Sequence, residues 1–178
     1  MTRRIPLLVL GISLGIGVGL LGMELVLRVA RDALFSAPRV GASIERYPIT
    51  YDPLLGYTPT PRAQRRWHSG DALTITSEGI RSNGRFFPPS GEAILAVGDS
   101  FTFGDEVGDG DTWPAHLERI LERPVINGGV FGYGFDQIVL RAEQLLETFS
   151  AAVLVVSLIP DDVARCEYSY RYAWKPYF

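Results

Sequence analysis

The sequence predicts an α/β fold built on a parallel sheet, preceded by a membrane-spanning helix. Three observations predict it. From residue 93 onward, short apolar runs alternate with stretches of helical periodicity, the pattern of βαβ units. Each apolar run ends abruptly in a glycine- or proline-containing turn that carries polar residues. At the other end of the chain, Ile5 to Met23 is an uncharged stretch of nineteen residues.

That amino-terminal stretch comes first. At ~1.5 Å per residue, a helix over it covers ~28 Å, close to the hydrocarbon core of a bilayer. Gly11, Gly15, Gly17, Gly19 and Gly22 would weaken a soluble helix but are ordinary in a membrane helix. Arg3 and Arg4 precede the span and favour a cytoplasmic amino terminus, which places the residues after the span on the extracytoplasmic face. The rival is a cleaved signal peptide. Against it stand a run longer than the usual ~7–15 apolar residues and the lack of an Ala-x-Ala site. Glu24 to Arg31 continues amphipathically, as a helix emerging into the interface. The membrane is thus an expected partner through residues 5–27, with residues 1–31 as the anchor. Gly15-x-x-x-Gly19 is a weak helix-pairing pattern.

Residues 32–92 read as a linker and an extended lead-in. Turn signals crowd it: Asp52-Pro53, Leu55-Gly56, Pro59-Thr60-Pro61, Asn83-Gly84 and Pro88-Pro89. Ala72 to Thr76 alternates like a short strand. Arg62, Arg65, Arg66 and Trp67 form a small basic-aromatic patch, either a solvated loop or a contact for anionic lipid head groups.

The periodic part begins at Ala93. Residues 93–98 read as a strand. A helix comes next over 113–122, with Asp111 or Thr112 as cap, Pro114 in the first turn, and Leu117, Ile120 and Leu121 on one face. Pro124 to Asn127 is a second short strand. It leads into the glycine-rich Gly128 to Gly134, then a helix over 135–149 with Ile138, Leu145, Leu146 and Phe149 inward and Arg141, Glu143 and Glu147 outward. Ala151 to Ile159 is a third strand, whose unbroken apolar run suggests burial on both faces, and Pro160-Asp161-Asp162 ends it. Three strands make a small sheet with at least one exposed apolar edge. With the aromatic-rich end of the chain, this suggests the amino-terminal piece of a longer domain.

A net charge of −3 across 178 residues is too small to suggest nucleic acid as a partner. The lone Cys166 excludes an internal disulfide framework and reads as a small, half-buried residue. Asp105, Glu106, Asp109 and Asp111 fit no EF-hand spacing, which favours a solvated acidic loop. Gly128 to Gly134 does not match a dinucleotide fingerprint in register. No cofactor and no metal is expected.

Parallel strands put their carboxyl ends on one rim, where open α/β folds place their sites. Gly98-Asp99-Ser100, the glycine-rich loop and Pro160-Asp161-Asp162 all fall there. Ser100, at a strand-to-helix turn, is the candidate nucleophile. Its backbone N–H and a second from the glycine loop could converge on a carbonyl oxygen. One such oxyanion donor is typically worth ~3–4 kcal/mol in a transition state. This geometry suits acyl transfer.

These blocks resemble the SGNH (GDSL-type) hydrolases, esterases and acyl-transferring enzymes on a flavodoxin-like three-layer αβα sandwich. Gly98-Asp99-Ser100 with Phe101-Thr102-Phe103-Gly104 resembles the first block, and Asn127 to Gly134 the second. Asp52 to Tyr57 and Ser77 to Arg81 look like the lead-in of membrane-anchored bacterial members. The likeness spans roughly residues 50–165 and makes 93–178 the amino-terminal part of the hydrolase domain. It implies Ser100 as nucleophile, Ser100 and Gly132 as oxyanion-hole donors with the Asp161 position as a third, and Asp99 and Asp162 in support. The implied substrate is an acylated carbohydrate, a lipid or a small ester, handled outside the bacterial cytoplasmic membrane. Two departures stand out. The third block usually offers Asn-Asp, and an ionised Asp161 cannot donate a hydrogen bond. The Asp-x-x-His that supplies the general base is not in the sequence. His68 and His116, the two histidines, read as a loop and a helix-surface residue. Without a base a serine hydroxyl is a weak nucleophile, so a second reading is a membrane-tethered binding module without catalysis, or a partial chain.

Overall fold

A computed structural model describes residues 4–34, 47–67, 69–85, 93–171 and 174–175. The chain divides into two units, residues 1–40 and 41–178.

The first unit is helix α1, Arg4–Leu34, a single element of 31 residues. Its segment Gly11–Arg28 has a mean hydropathy of 1.5 and no buried residue, so α1 is long and apolar enough to cross a membrane. On its polar side, Arg28 Nη2 lies 2.6 Å from Glu24 Oε1, one turn away.

The second unit is mixed α/β around a three-stranded parallel sheet. Its strands are β5 (Ala93–Val97), β6 (Val125–Asn127) and β7 (Ala151–Val156), in the order β6-β5-β7. In register, Ile94 faces Val125 on one side and Val153 on the other. Helix α3 (Trp113–Leu121) connects β5 to β6, and helix α4 (Phe135–Thr148) connects β6 to β7. The central strand β5 is wholly buried. Its alternate side chains serve two cores. Ala93, Leu95 and Val97 join Ile126 with Ile138, Ala142 and Leu145 of α4. Ile94 and Ala96 join Val125, against Trp113 and Leu117 of α3 and against Val155.

The residues before β5 form two antiparallel hairpins, more structure than an extended lead-in with a short strand at Ala72 to Thr76. Strand β1 (Ile49–Asp52) pairs with β2 (Gly56–Pro59), and β3 (Gln64–Arg66) with β4 (Ala72–Thr74). Asp52 Oδ1 closes the first hairpin by accepting from the N–H groups of Leu54 and Leu55 at 2.9 and 2.8 Å. The hairpins belong to the main core. Tyr47, Leu55, Tyr57, Trp67, Leu73 and Ile75 are all buried in it. Trp67 is therefore no part of a surface patch, and its indole donates to Val107 O at 2.8 Å. Arg65 and Arg66 remain exposed. Arg81 N donates to Asn127 O at 3.0 Å, so the lead-in covers the outer edge of β6.

Four further expectations are corrected. On α3 the buried side chains are Pro114, Ala115 and Glu118, and Ile120 is 76% exposed. Glu118 Oε2 accepts from Val125 N at 3.0 Å and Asn83 Nδ2 at 3.1 Å, which draws a charged side chain inward and turns Ile120 out. On α4, Arg141 is buried, and its Nη2 donates to Gly79 O at 2.7 Å; a long cation that satisfies a lead-in carbonyl need not face water. Leu146, expected inward, is exposed. The third strand is not buried on both faces: Val153, Leu154 and Val156 are each more than 40% exposed. Among the described residues no strand pairs with the outer edge of β7.

Candidate active site

The turn after β5 is built by its own residues. Asp99 precedes a single helical turn, α2 (Ser100–Phe103), and its Oδ1 accepts from Phe101 N at 3.0 Å. This fixes the first turn as an N-cap does. Gly104 N returns to Ser100 O at 3.0 Å and ends the turn in the left-handed region, at φ +82°. Ser100 is thereby held half-buried at the carboxyl end of the central strand, where the chain leaves first to one side of β5 and then to the other. A switch in strand order of this kind opens a crevice at the strands' carboxyl ends.

The glycine-rich loop after β6 lies directly against this turn. Gly128 N donates to Ala96 O at 2.8 Å, and Val130 N to Gly98 O at 3.0 Å. A Cβ on Gly129 would strike the backbone of Thr102 and Phe103, so only glycine lets the loop approach α2 so closely. Gly132 is buried and left-handed, at φ +72°. Aromatic residues hold the loop from behind. Tyr57 OH donates to Phe131 O at 2.9 Å and Tyr133 OH to Tyr57 O at 2.5 Å. Tyr47 stacks on Phe131 with ring centroids 3.7 Å apart, and Phe103 meets Phe131 edge-on at 5.4 Å. Burial pushes the Tyr133 phenol well above its usual range, so it stays a neutral donor.

The third strand-end segment begins at Ser157, whose N–H donates to Val97 O at 2.9 Å. Pro160 then opens the short helix α5 (Pro160–Ala164). Asp161 is exposed in its first turn and Asp162 is fully buried. Asp162 Oδ2 accepts from Ile159 N at 3.0 Å, and Oδ1 lies 2.5 Å from Arg165 Nη1. The same Nη1 is 3.1 Å from Asp99 Oδ2 and 3.2 Å from Tyr133 O. Burial raises the Asp162 carboxyl above its usual range, and nearby Asp99 pushes the same way. The Ile159 N–H and the Arg165 charge oppose them.

Beside Ser100 opens a cavity of about 380 Å³, walled by Phe101, Gly104, Val107, Thr112 and Trp113, with Asp105 and Asp111 also at its lining. That is a small-ligand volume. The acidic loop is not simply solvated. Asp105 Oδ2 accepts from Tyr47 OH at 2.7 Å. Asp109 Oδ1 lies 3.0 Å from Arg81 Nε and accepts from Thr74 N at 2.9 Å. Buried Arg81 also donates from Nη2 to Val107 O at 2.9 Å and lies over the Phe103 ring, 5.2 Å from its centroid.

The structure thus gathers Asp99, Ser100 and Asp162 at the carboxyl ends of the strands, with the loop that carries Gly132 packed against them. It leaves Asp161 outside the hydrogen-bonded cluster at that rim. His116 is exposed on α3, its Nδ1 2.6 Å from Arg119 Nη2, and does not line the cavity at Ser100. His68 lies outside the described residues. Cys166 is half-buried, with its thiol 3.5 Å from Asp162 O. Sequence reasoning passed over Arg165. The available signal was the Asp162-x-x-Arg165 spacing, which puts an acid and a base on one helical face. No family model matches the chain, and no curated protein matches its sequence.

Proposed function

We propose that this chain carries the nucleophile half of a serine ester-hydrolase or acyl-transferase site of SGNH type. The observation that carries the reading is the place of Ser100: the first residue of a capped turn, at the carboxyl end of the central parallel strand, beside a small-ligand cavity. The order β6-β5-β7 is second-first-third in the chain, the order in which a flavodoxin-like sheet begins. With one helix on each face, it supports a three-layer αβα sandwich.

In this reading Ser100 Oγ attacks the carbonyl carbon of an acylated carbohydrate, a lipid or a small ester. The oxyanion, held by the N–H groups of Ser100 and Gly132, collapses as the ester C–O bond breaks and the alcohol leaves with a proton. Water or an acceptor hydroxyl then takes the acyl group from Oγ and frees the serine. The proton on Oγ must go to a base, and His116, turned to Arg119, is not placed to take it. Helix α1 tethers the site as a single-pass anchor, with the second unit on the outer face of a bacterial cytoplasmic membrane. The alternative, a membrane-tethered module that binds an acylated glycan without turnover, draws support from the exposed Asp161 carboxylate, which takes the place of an oxyanion donor.

Turnover of p-nitrophenyl acetate by the full chain in detergent micelles separates the two. The enzyme reading expects a rate that Ser100→Ala abolishes; equal rates remove that reading for this chain. A reporter fused after residue 40 should be active only outside the cytoplasm, and cytoplasmic activity would overturn the topology.

A further inference from the structure

Three segments meet at the carboxyl ends of the sheet, each following a different strand: the Ser100 turn after β5, the glycine loop after β6 and the α5 turn after β7. Parallel strands bring such segments near one another but do not fix their spacing to the tenths of an ångström that a reacting constellation needs. One group touches all three. Arg165 Nη1 is within 3.2 Å of Asp99 Oδ2, Tyr133 O and Asp162 Oδ1. A guanidinium nitrogen carries two hydrogens here, so one is shared between two acceptors.

The two carboxylates are used alike. Asp99 gives one oxygen to the turn that presents Ser100 and the other to Arg165. Asp162 gives one oxygen to the turn that starts α5 and the other to Arg165. Each acid thus shapes its own turn and docks it to a shared cation. All three side chains are buried, so the charges are weakly screened and the pairs are directional. Arg165 is itself held in place, because Gly134 packs against its backbone and Cβ so closely that a Cβ on Gly134 would crowd them.

We infer that Arg165 is a positioning residue: its guanidinium clamps the Ser100 turn, the glycine loop and α5 together, and sets Ser100 against the loop that carries Gly132 through Asp99 and Tyr133. The part that concerns Ser100 chemistry rests on the proposed esterase reading; the clamp itself does not.

Hydrogen exchange of the full chain in detergent micelles, read by mass spectrometry, tests the clamp without any activity. In Arg165→Met, amides of 98–104, 128–134 and 157–164 should exchange together, about tenfold faster, while those of β5 and α4 keep their rates. Arg165→Lys keeps the charge without the planar fork and should fall between, which also guards against a Met variant that does not fold. Faster exchange confined to 160–167, or an equal rise throughout the unit in the Lys variant, would overturn the clamp. In parallel, p-nitrophenyl acetate turnover should show kcat down about tenfold or more, KM within about threefold, and partial recovery in Arg165→Lys. Wild-type kcat in both variants, with the three segments loosened, would overturn the positioning role. If wild-type turnover equals that of Ser100→Ala, the esterase reading falls, and the exchange data alone decide the clamp.

Discussion

The two flanks of the central strand β5 are built differently. On the β6 side the sheet edge is bonded by Arg81, and the loop beyond it is packed by Tyr47, Tyr57 and Phe103. On the β7 side the strand is half-exposed, its outer edge has no strand partner among the described residues, and Leu158 and Val163 beyond it are exposed. What ties that flank's carboxyl end to the rest is polar: Ser157 to Val97, and Arg165 to Asp99 and to the Tyr133 carbonyl. One side of the candidate site is therefore held by aromatic packing and the other by buried charge. Packing is non-directional and tolerant of small changes, whereas buried charge is unforgiving when one partner is removed.

Substitutions that remove apolar contacts or a hydrogen bond on each flank should rank by depth of burial in denaturant unfolding of the full chain, followed by tryptophan fluorescence. Phe131→Ala empties the centre of the aromatic cluster and should cost about 3–5 kcal/mol. Tyr57→Phe keeps the ring but removes the hydrogen bond its hydroxyl donates to Phe131 O, for about 1.5 kcal/mol at most. Leu154→Ala on the open flank, where the side chain is 43% exposed, should cost about 1 kcal/mol, the transfer energy of a half-covered leucine. A loss from Leu154→Ala as large as that from Phe131→Ala would erase the contrast between the flanks.

The finest effect is a slope. Because Asp162 has its carboxyl raised in the folded chain, the folded state keeps a proton that the unfolded state has already released. Over the window from the ordinary carboxylate value up to the raised folded value, stability therefore falls as pH rises. Asp162→Asn should flatten that decline in the unfolding midpoint, whatever it does to the absolute stability. An unchanged slope would show that the buried charge of Asp162 does not set it.

The same contrast explains what the sequence disclosed. The strands of the sheet and the long helices α3 and α4 were legible because apolar runs, the Thr112 cap, Pro114 and the glycine turns are local signals. Ser100 and the glycine loop were legible as a strand-end pair for the same reason. The lead-in was underread because its burial is not local: Tyr57 finds its partner at Phe131, 74 residues away. Arg141 and Glu118 are charged, and partners outside their helices make their burial tolerable: the Gly79 carbonyl for Arg141, and the Asn83 amide with the Val125 N–H for Glu118. For β7 the error runs the other way. An unbroken apolar run shows that a strand can be buried, but neighbouring elements decide whether it is. Asp162 lies only three residues from Arg165, but the other two acceptors, Asp99 and the Tyr133 carbonyl, are distant in the chain, and they are what give Arg165 its role.

In the proposed function Ser100 is the group that takes up an acyl group. Lys175 is the single lysine of the sequence, and its ammonium is buried 2.6 Å from Asp136 Oδ2, so side-chain amine labelling should be slight. The full chain in detergent micelles, mixed with p-nitrophenyl acetate, quenched in acid and digested, should carry an acetyl group on the peptide that contains Ser100. Ser100→Ala should lose that label and no other. Acetyl groups found only at the amino terminus or on tyrosines, with the same pattern in Ser100→Ala, would rule out Ser100 as the acyl acceptor.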